Sequence, residues 1–155
     1  MNKDIQLRYD EFRKKVEEFN LKLKKEEQYI KIKQRRKERY DTDILFKLST
    51  CIRSNILMSF KNNGYKKESK TEQILGCTFE EFKQHIEQQF EPWMTWNNYG
   101  KYNGKPNYGW DIDHIIPVSS GTSIEDILFI NRYTNLRPLC SYINRCIKRN
   151  RLDLY

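Results

Sequence analysis

The four cysteines, Cys51, Cys77, Cys140 and Cys146, form no CxxC pair. The step of six from Cys140 to Cys146 fits zinc-knuckle spacing poorly, so the cysteines read as small buried apolar residues and a structural zinc is not expected. Long apolar runs are missing. No stretch approaches the about 18 consecutive apolar residues of a membrane helix, and Met1-Asn2-Lys3-Asp4 opens no apolar leader. The expectation is an intracellular protein with no membrane partner. Glycine and proline are absent before Gly64, and no internal repeat or low-complexity segment occurs. Hydrophobic residues are 37% of the 155 and charged residues 32%. That low apolar share points to a solvated helix, and the length suits one compact domain plus an extension and not a second large domain. Aromatic residues, at 14%, argue against a disordered chain.

Charge is unevenly spread. Residues 1–70 hold 20 Lys/Arg against 11 Asp/Glu, while residues 71–155 hold 9 against 10. Within the second half, Arg132 to Arg151 carries six basic residues and no acid. Two basic zones thus flank a neutral middle, and a polyanion, most commonly nucleic acid, is the natural partner. A solvated basic surface that only aids solubility would give the same totals.

With no breaker before Gly64, the first 40 residues read as one charged helix. Ile5, Tyr9, Phe12, Val16, Phe19, Leu23 and Ile30 fall at steps of 4, 3, 4, 3, 4 and 7, a heptad seam. The seam allows a homodimer through this helix or packing on the chain's own domain. Lys31 to Arg39 then carries six basic residues, Arg35 and Arg36 among them, against Glu38, as phosphate-tracking helices do. A second helix is expected over Ile44 to Phe60, with Leu45, Leu48, Ile52 and Ile56 as its buried stripe. Asn62-Asn63-Gly64 ends it, and a Lys-rich linker, Tyr65 to Lys70, follows.

Thr78-Phe79-Glu80-Glu81 is a capping box, opening a helix that runs to about Phe90. His85 in that helix has no Cys or carboxylate at ligand spacing and reads as structural. Pro92 to Tyr108 is loop-like. Trp110 to Ile116 alternates as a strand does and stops at Pro117. Thr122-Ser123-Ile124-Glu125 reads as a second capping box with a short helix to about Asn131. Leu136 to Leu139 is a short strand containing Pro138, and Ser141 to Asn150 a last helix.

The chemistry sits in Trp110-Asp111-Ile112-Asp113-His114-Ile115-Ile116-Pro117, then Thr134-Asn135-Leu136-Arg137-Pro138-Leu139-Cys140, then Ile143-Asn144-Arg145-Cys146-Ile147-Lys148. Phosphodiester hydrolysis needs a base to activate water and a cation to neutralise charge. His114, with a free pKa of about 6.5, suits the first role. Asp113 and Asn144 offer hard oxygen ligands for the second. Neighbouring strand residues face opposite sides, so Asp113 and His114 converge only where the strand ends or twists.

These segments resemble the HNH endonucleases of the small phage and intron-associated type. Ile-Asp-His-Ile-Ile-Pro, Thr-Asn-Leu-Arg-Pro-Leu-Cys and the later Asn are similar to that family's ββα-metal signature. Leu75-Gly76-Cys77-Thr78-Phe79-Glu80-Glu81-Phe82-Lys83-Gln84-His85-Ile86 and Met94-Thr95-Trp96-Asn97-Asn98-Tyr99-Gly100 resemble segments upstream of its core. The likeness covers about residues 45–151. It implies that His114 is the general base and that Asn135 braces its loop. Asp113 and Asn144 would bind Mg²⁺, with Mn²⁺ also accepted. Asn144 stands where the family often has His, which disfavours a zinc-only or nickel-only site. Asp111 stands where many relatives have His, and its role is open. Arg137, Arg145, Lys148 and Arg149 would hold the DNA backbone.

The expected fold is α+β, mostly helical. A long N-terminal helix spans residues 1–40 and a helical region with a loop spans 41–109. A C-terminal ββα-metal module spans 110–151. The expected function is DNA cleavage. The alternatives are a non-catalytic DNA-binding protein, or a phage-assembly accessory, on the same scaffold. Deleting residues 1–40 is expected to weaken DNA binding in filter or mobility-shift titrations. The loss should shrink as salt rises, because phosphate contacts are what salt screens. A change only from dimer to monomer in sedimentation would instead make the seam an assembly device.

Overall fold

The computed structural model describes residues 3–149 and 151. It is mostly helical with one small two-stranded antiparallel sheet, an α+β arrangement. The chain divides into two compact units, one ending at Asp43 and the other beginning at Ile44.

The first unit is a single helix, α1 (Lys3–Thr42). The unbroken run of helix formers predicts this, and the boundary lies close to the expected one. Along its seam Tyr9, Phe12, Val16, Phe19, Leu23 and Ile30 are exposed. The side chain of Ile5 lies outside the described residues. Arg35 and Arg36 are exposed on the same helix.

The second unit holds everything else around one core. α2 (Ile44–Asn62) buries Leu48, Ile52 and Ile56, at helical spacing, and also Phe60. Gly64, at φ +77°, makes the turn after it. A five-residue helix, α3 (Thr71–Leu75), follows in the span between the linker and Thr78, where periodicity is too short to announce a helix. α4 (Phe79–Glu87) starts at the expected capping box: Thr78 Oγ accepts from Glu81 N–H, and Glu81 accepts from Thr78 N–H. It buries Phe79, Phe82 and Ile86. His85 donates from Nε2 to the Leu136 carbonyl at 3.2 Å and meets the Tyr133 ring edge-on, so it ties α4 to β2 (Leu136–Cys140).

β1 (Trp110–His114) pairs with β2 in a register running from Trp110 opposite Cys140 to His114 opposite Leu136. Two strands alone are marginal in water. Trp110, wholly buried, fixes this sheet to the helices. Its ring lies 4.6–5.2 Å from those of Tyr99, Phe90 and Trp96, and its Nε1–H donates to the Thr95 carbonyl at 2.7 Å. From Ile44 onward, the helical region and the strand module therefore share one core. Pro138 sits within β2 opposite Ile112. It is tolerated because each strand of a two-stranded sheet has an open edge that needs no donor. Gly109 is required where the loop from Gly100 closes, since a Cβ there would lie 2.0 Å from the Lys101 carbonyl oxygen.

Between the strands lies α5 (Ile124–Ile130). Its cap is one residue later than the spacing suggests. Ser123 is the N-cap and Asp126, not Glu125, closes the box, because the short Asp126 carboxylate accepts from the N–H groups of both Thr122 and Ser123. After β2 the chain enters a π-helix, Ile143–Lys148, ended by Arg149 at φ +47°. Asn150, the expected end of the last helix, lies outside the described residues. Of the cysteines only Cys140 is fully buried. Cys51 and Cys77 are half-buried, and Cys146 is exposed, bonded to the Tyr102 hydroxyl at 2.8 Å.

The two capping carboxylates make stability pH-dependent. The Thr78 N–H first, then its hydroxyl, hold Glu81 below its ordinary value, and the Thr122 and Ser123 donors do the same for Asp126. A lowered folded pKa means stability that is present above the unfolded value and is lost as pH falls through the folded one. Urea titrations of Glu81→Gln/Asp126→Asn should therefore show a flatter loss than wild type from about pH 5 downward. An identical acid limb would remove these caps from the account.

Candidate active site

The end of β1, the segment after it and the π-helix enclose a cavity of about 210 Å³. Ile112, Asp113, His114, Pro117, Val118, Asn144 and Arg149 line it. Asp113 and His114, adjacent in sequence, reach one cavity because β1 stops at His114. Asn144, thirty residues later, comes to them on the π-helix.

Asn135 is 6% exposed and serves the turn after His114. Its Oδ1 accepts from Ile116 N–H at 2.9 Å, and its Nδ2 donates to the carbonyls of Ile116 and Ile130. Its own carbonyl accepts from Ile115 N–H. Its side chain thus ties the backbone that leaves His114 to the end of α5.

His114 itself is oriented by a residue that spacing did not single out. Asn131 is fully buried. Its Nδ2 donates to the Ile127 carbonyl at 2.7 Å and to Ser59 Oγ at 2.6 Å. A carbonyl only accepts, so the amide orientation is set, and Oδ1 is the atom that faces His114 Nε2 at 3.2 Å. Amide oxygen only accepts too, so Nε2 carries the hydrogen. In the neutral ring the bare nitrogen is then Nδ1. Burial is the largest influence on this imidazole and lowers its pKa. The Asn131 bond and Asp113 oppose that shift, and Lys148 adds to it. The environment therefore favours the neutral ring.

The basic residues assigned to the DNA backbone divide. Arg149 is exposed at the cavity. Arg137, opposite Asp113 in the sheet, turns its Nε to Asp113 Oδ2 at 3.2 Å. Arg145 grips Asp111 with two bonds of 2.8 and 2.7 Å while its side chain stays 43% exposed. That ion pair gives Asp111 a structural task, and its carboxylate also accepts from Asn144 Nδ2 at 3.5 Å. The Asn144 amide oxygen is thereby left for the cavity. Lys148 is a correction to the sequence reading. It is 1% exposed, and its ammonium lies 2.7 and 2.6 Å from the two oxygens of Asp113 and also bonds the His114 carbonyl. The chain folds it inward because a 6%-exposed carboxylate needs a counter-charge.

Replacing Asn131 by Leu should release the ring. In ¹⁵N spectra of the imidazole at neutral pH, the wild type should show the Nε2–H form alone, and Asn131→Leu a mixture of both tautomers. A wild-type spectrum with Nδ1–H would overturn the assignment.

No family model and no solved structure matches the chain. Two proteins of Acanthamoeba polyphaga mimivirus are similar to it. The uncharacterized protein L426 is 37% identical over 107 residues, covering 68% of this chain and 43% of that protein. The uncharacterized protein L246 is 28% identical over 114 residues, covering 70% of this chain and 44% of that protein. The chain therefore spans less than half the length of the curated relatives it matches.

Proposed function

We propose that the chain is an HNH-type endonuclease that hydrolyses DNA phosphodiester bonds with His114 as general base. The observation that carries this reading is the meeting of His114, Asp113 and Asn144 in one cavity, at the end of a two-stranded antiparallel sheet and against the helix that follows it. An adjacent acid and imidazole and an amide thirty residues later combine there into a base and two hard oxygen donors.

In this reading His114 Nδ1 accepts the proton of an attacking water as the new P–O bond forms, and the P–O3′ bond breaks with O3′ taking a proton from solvent. Asn131 keeps Nε2–H turned away from that event, and Asn135 keeps the turn after the base in place. The donor set suits magnesium in kind: the Asp113 carboxylate and the Asn144 amide oxygen are the ligands that would hold it, and manganese takes the same donors. The ion, when bound, supplies charge neutralisation at the phosphate. Arg149 stands at the cavity to hold a phosphate oxygen. By resemblance, the products carry 5′-phosphate and 3′-hydroxyl ends.

One observation favours the rival, a non-catalytic DNA-binding or phage-assembly protein on this scaffold. Both oxygens of Asp113 already face cations. Supercoiled plasmid separates the two readings. The wild type should nick or linearise it with Mg²⁺ and not with EDTA. His114→Ala should cut about 10²–10⁴ times more slowly. Intact plasmid with wild type and Mg²⁺, or full-speed cutting by His114→Ala, would overturn the proposal.

A further inference from the structure

Lys148 is the buried charge that the reaction above leaves unused. An ammonium has three hydrogens to donate. Lys148 directs them at Asp113 Oδ1, Asp113 Oδ2 and the His114 carbonyl. It occupies the place at the end of β1 where oxygen donors converge, and it is 1% exposed there. The other charges around it are spoken for: Arg137 bonds Asp113 Oδ2, and Arg145 is held by Asp111. The remaining charged group at the cavity is Arg149, a further cation. Among the described residues Asp113 is thus the one acid lining the cavity, and it is matched by the Lys148 ammonium.

We propose that the Lys148 ammonium is a tethered cation that competes with the divalent metal for Asp113, so that the site takes up metal only as Lys148 withdraws. The inference rests on Asp113 being a metal ligand, as in the reading above. A divalent ion would add to the two cations, Lys148 and Arg137, that already share this carboxylate, and little water screens the repulsion. Withdrawal is feasible at this position. Lys148 is the last residue of a π-helix, a wound-out turn with weaker geometry than an α-helix, and the next residue, Arg149, stands at φ +47°. Its flexible four-carbon stem can carry the ammonium out while the ring of His114 stays on Asn131.

The test measures Mn²⁺ binding to the full chain by the electron paramagnetic resonance signal of the free ion. Lys148→Met should bind Mn²⁺ on the order of tenfold tighter than wild type or more, since it leaves Asp113 without its buried partner. Adding Asp113→Asn should abolish the gain. Equal or weaker binding by Lys148→Met would overturn the proposal. Should that variant fail to fold, wild-type lysines are acylated with a small anhydride, with and without saturating Mn²⁺, and located by peptide mass. Lys148 should be protected without the ion and several-fold more reactive with it, and unchanged protection would overturn the competition. Plasmid cutting by the same preparations keeps the two readings apart. Cutting by wild type without a gain in Mn²⁺ affinity in the variant sinks the competition and leaves the nuclease. Tighter Mn²⁺ binding through Asp113 with no cutting by any form leaves the competition and sinks the nuclease.

Discussion

The ion pair between Asp113 and Lys148 joins the end of β1 to the last turn of the π-helix with almost no solvent at either partner. Moving two charges out of water costs several kcal/mol per ion, and attraction offsets this only when the remaining hydrogen bonds are filled. Here they are. Lys148 reaches a third acceptor on the His114 backbone, and Arg137 reaches Asp113 across the sheet. Removing one partner of such a pair costs about 3–5 kcal/mol. A domain's whole stability is of order 5–15 kcal/mol. That contact ties the closing helix to the end of β1 beside the cavity.

The rest of the second unit serves to make such a site possible on so little sheet. Two five-residue strands cannot bury a carboxylate by themselves. Trp110 anchors them to an aromatic cluster drawn from the loop after α4, and His85 bonds α4 to β2. A second chain of contacts runs from Ser59 on α2 through Asn131 to His114. The Ile127 carbonyl of α5 sets the amide orientation and so the hydrogen position on the imidazole, and Ser59 of α2 braces it. Burial of the ring, with Lys148 adding to it, holds the His114 pKa below its ordinary value against the opposing pull of Asn131 and Asp113.

Much of this was legible from residue types and short-range spacing. The uninterrupted helix formers before Gly64 announce α1, and the step of four from Leu48 to Ile52 to Ile56 announces the buried face of α2. The Thr78–Glu81 spacing marks the start of α4, and the alternation ending at Pro117 marks β1. His114, Asp113 and Asn144 were nameable because few residue types can do base or hard-ligand chemistry, whereas Asn135 was named through the HNH resemblance. The second cap slipped by one residue, since Glu125 and Asp126 both carry a carboxylate and only local geometry decides which one reaches back.

What the sequence by itself determined is therefore the order of elements and the inventory of reactive groups, because both follow from contacts within a few residues along the chain. Only the tertiary structure decided how those groups are used. Lys148, Arg137 and Arg145 look like surface bases in a run without acids, yet their partners lie on β1, 24 to 35 residues away. Asn131 looks like the end of a helix, yet it takes Ser59 from 72 residues away and sets the tautomer of His114. The physical reason is that a charge or an amide has no preferred partner along the chain. Its partner is fixed only when burial removes water as the alternative.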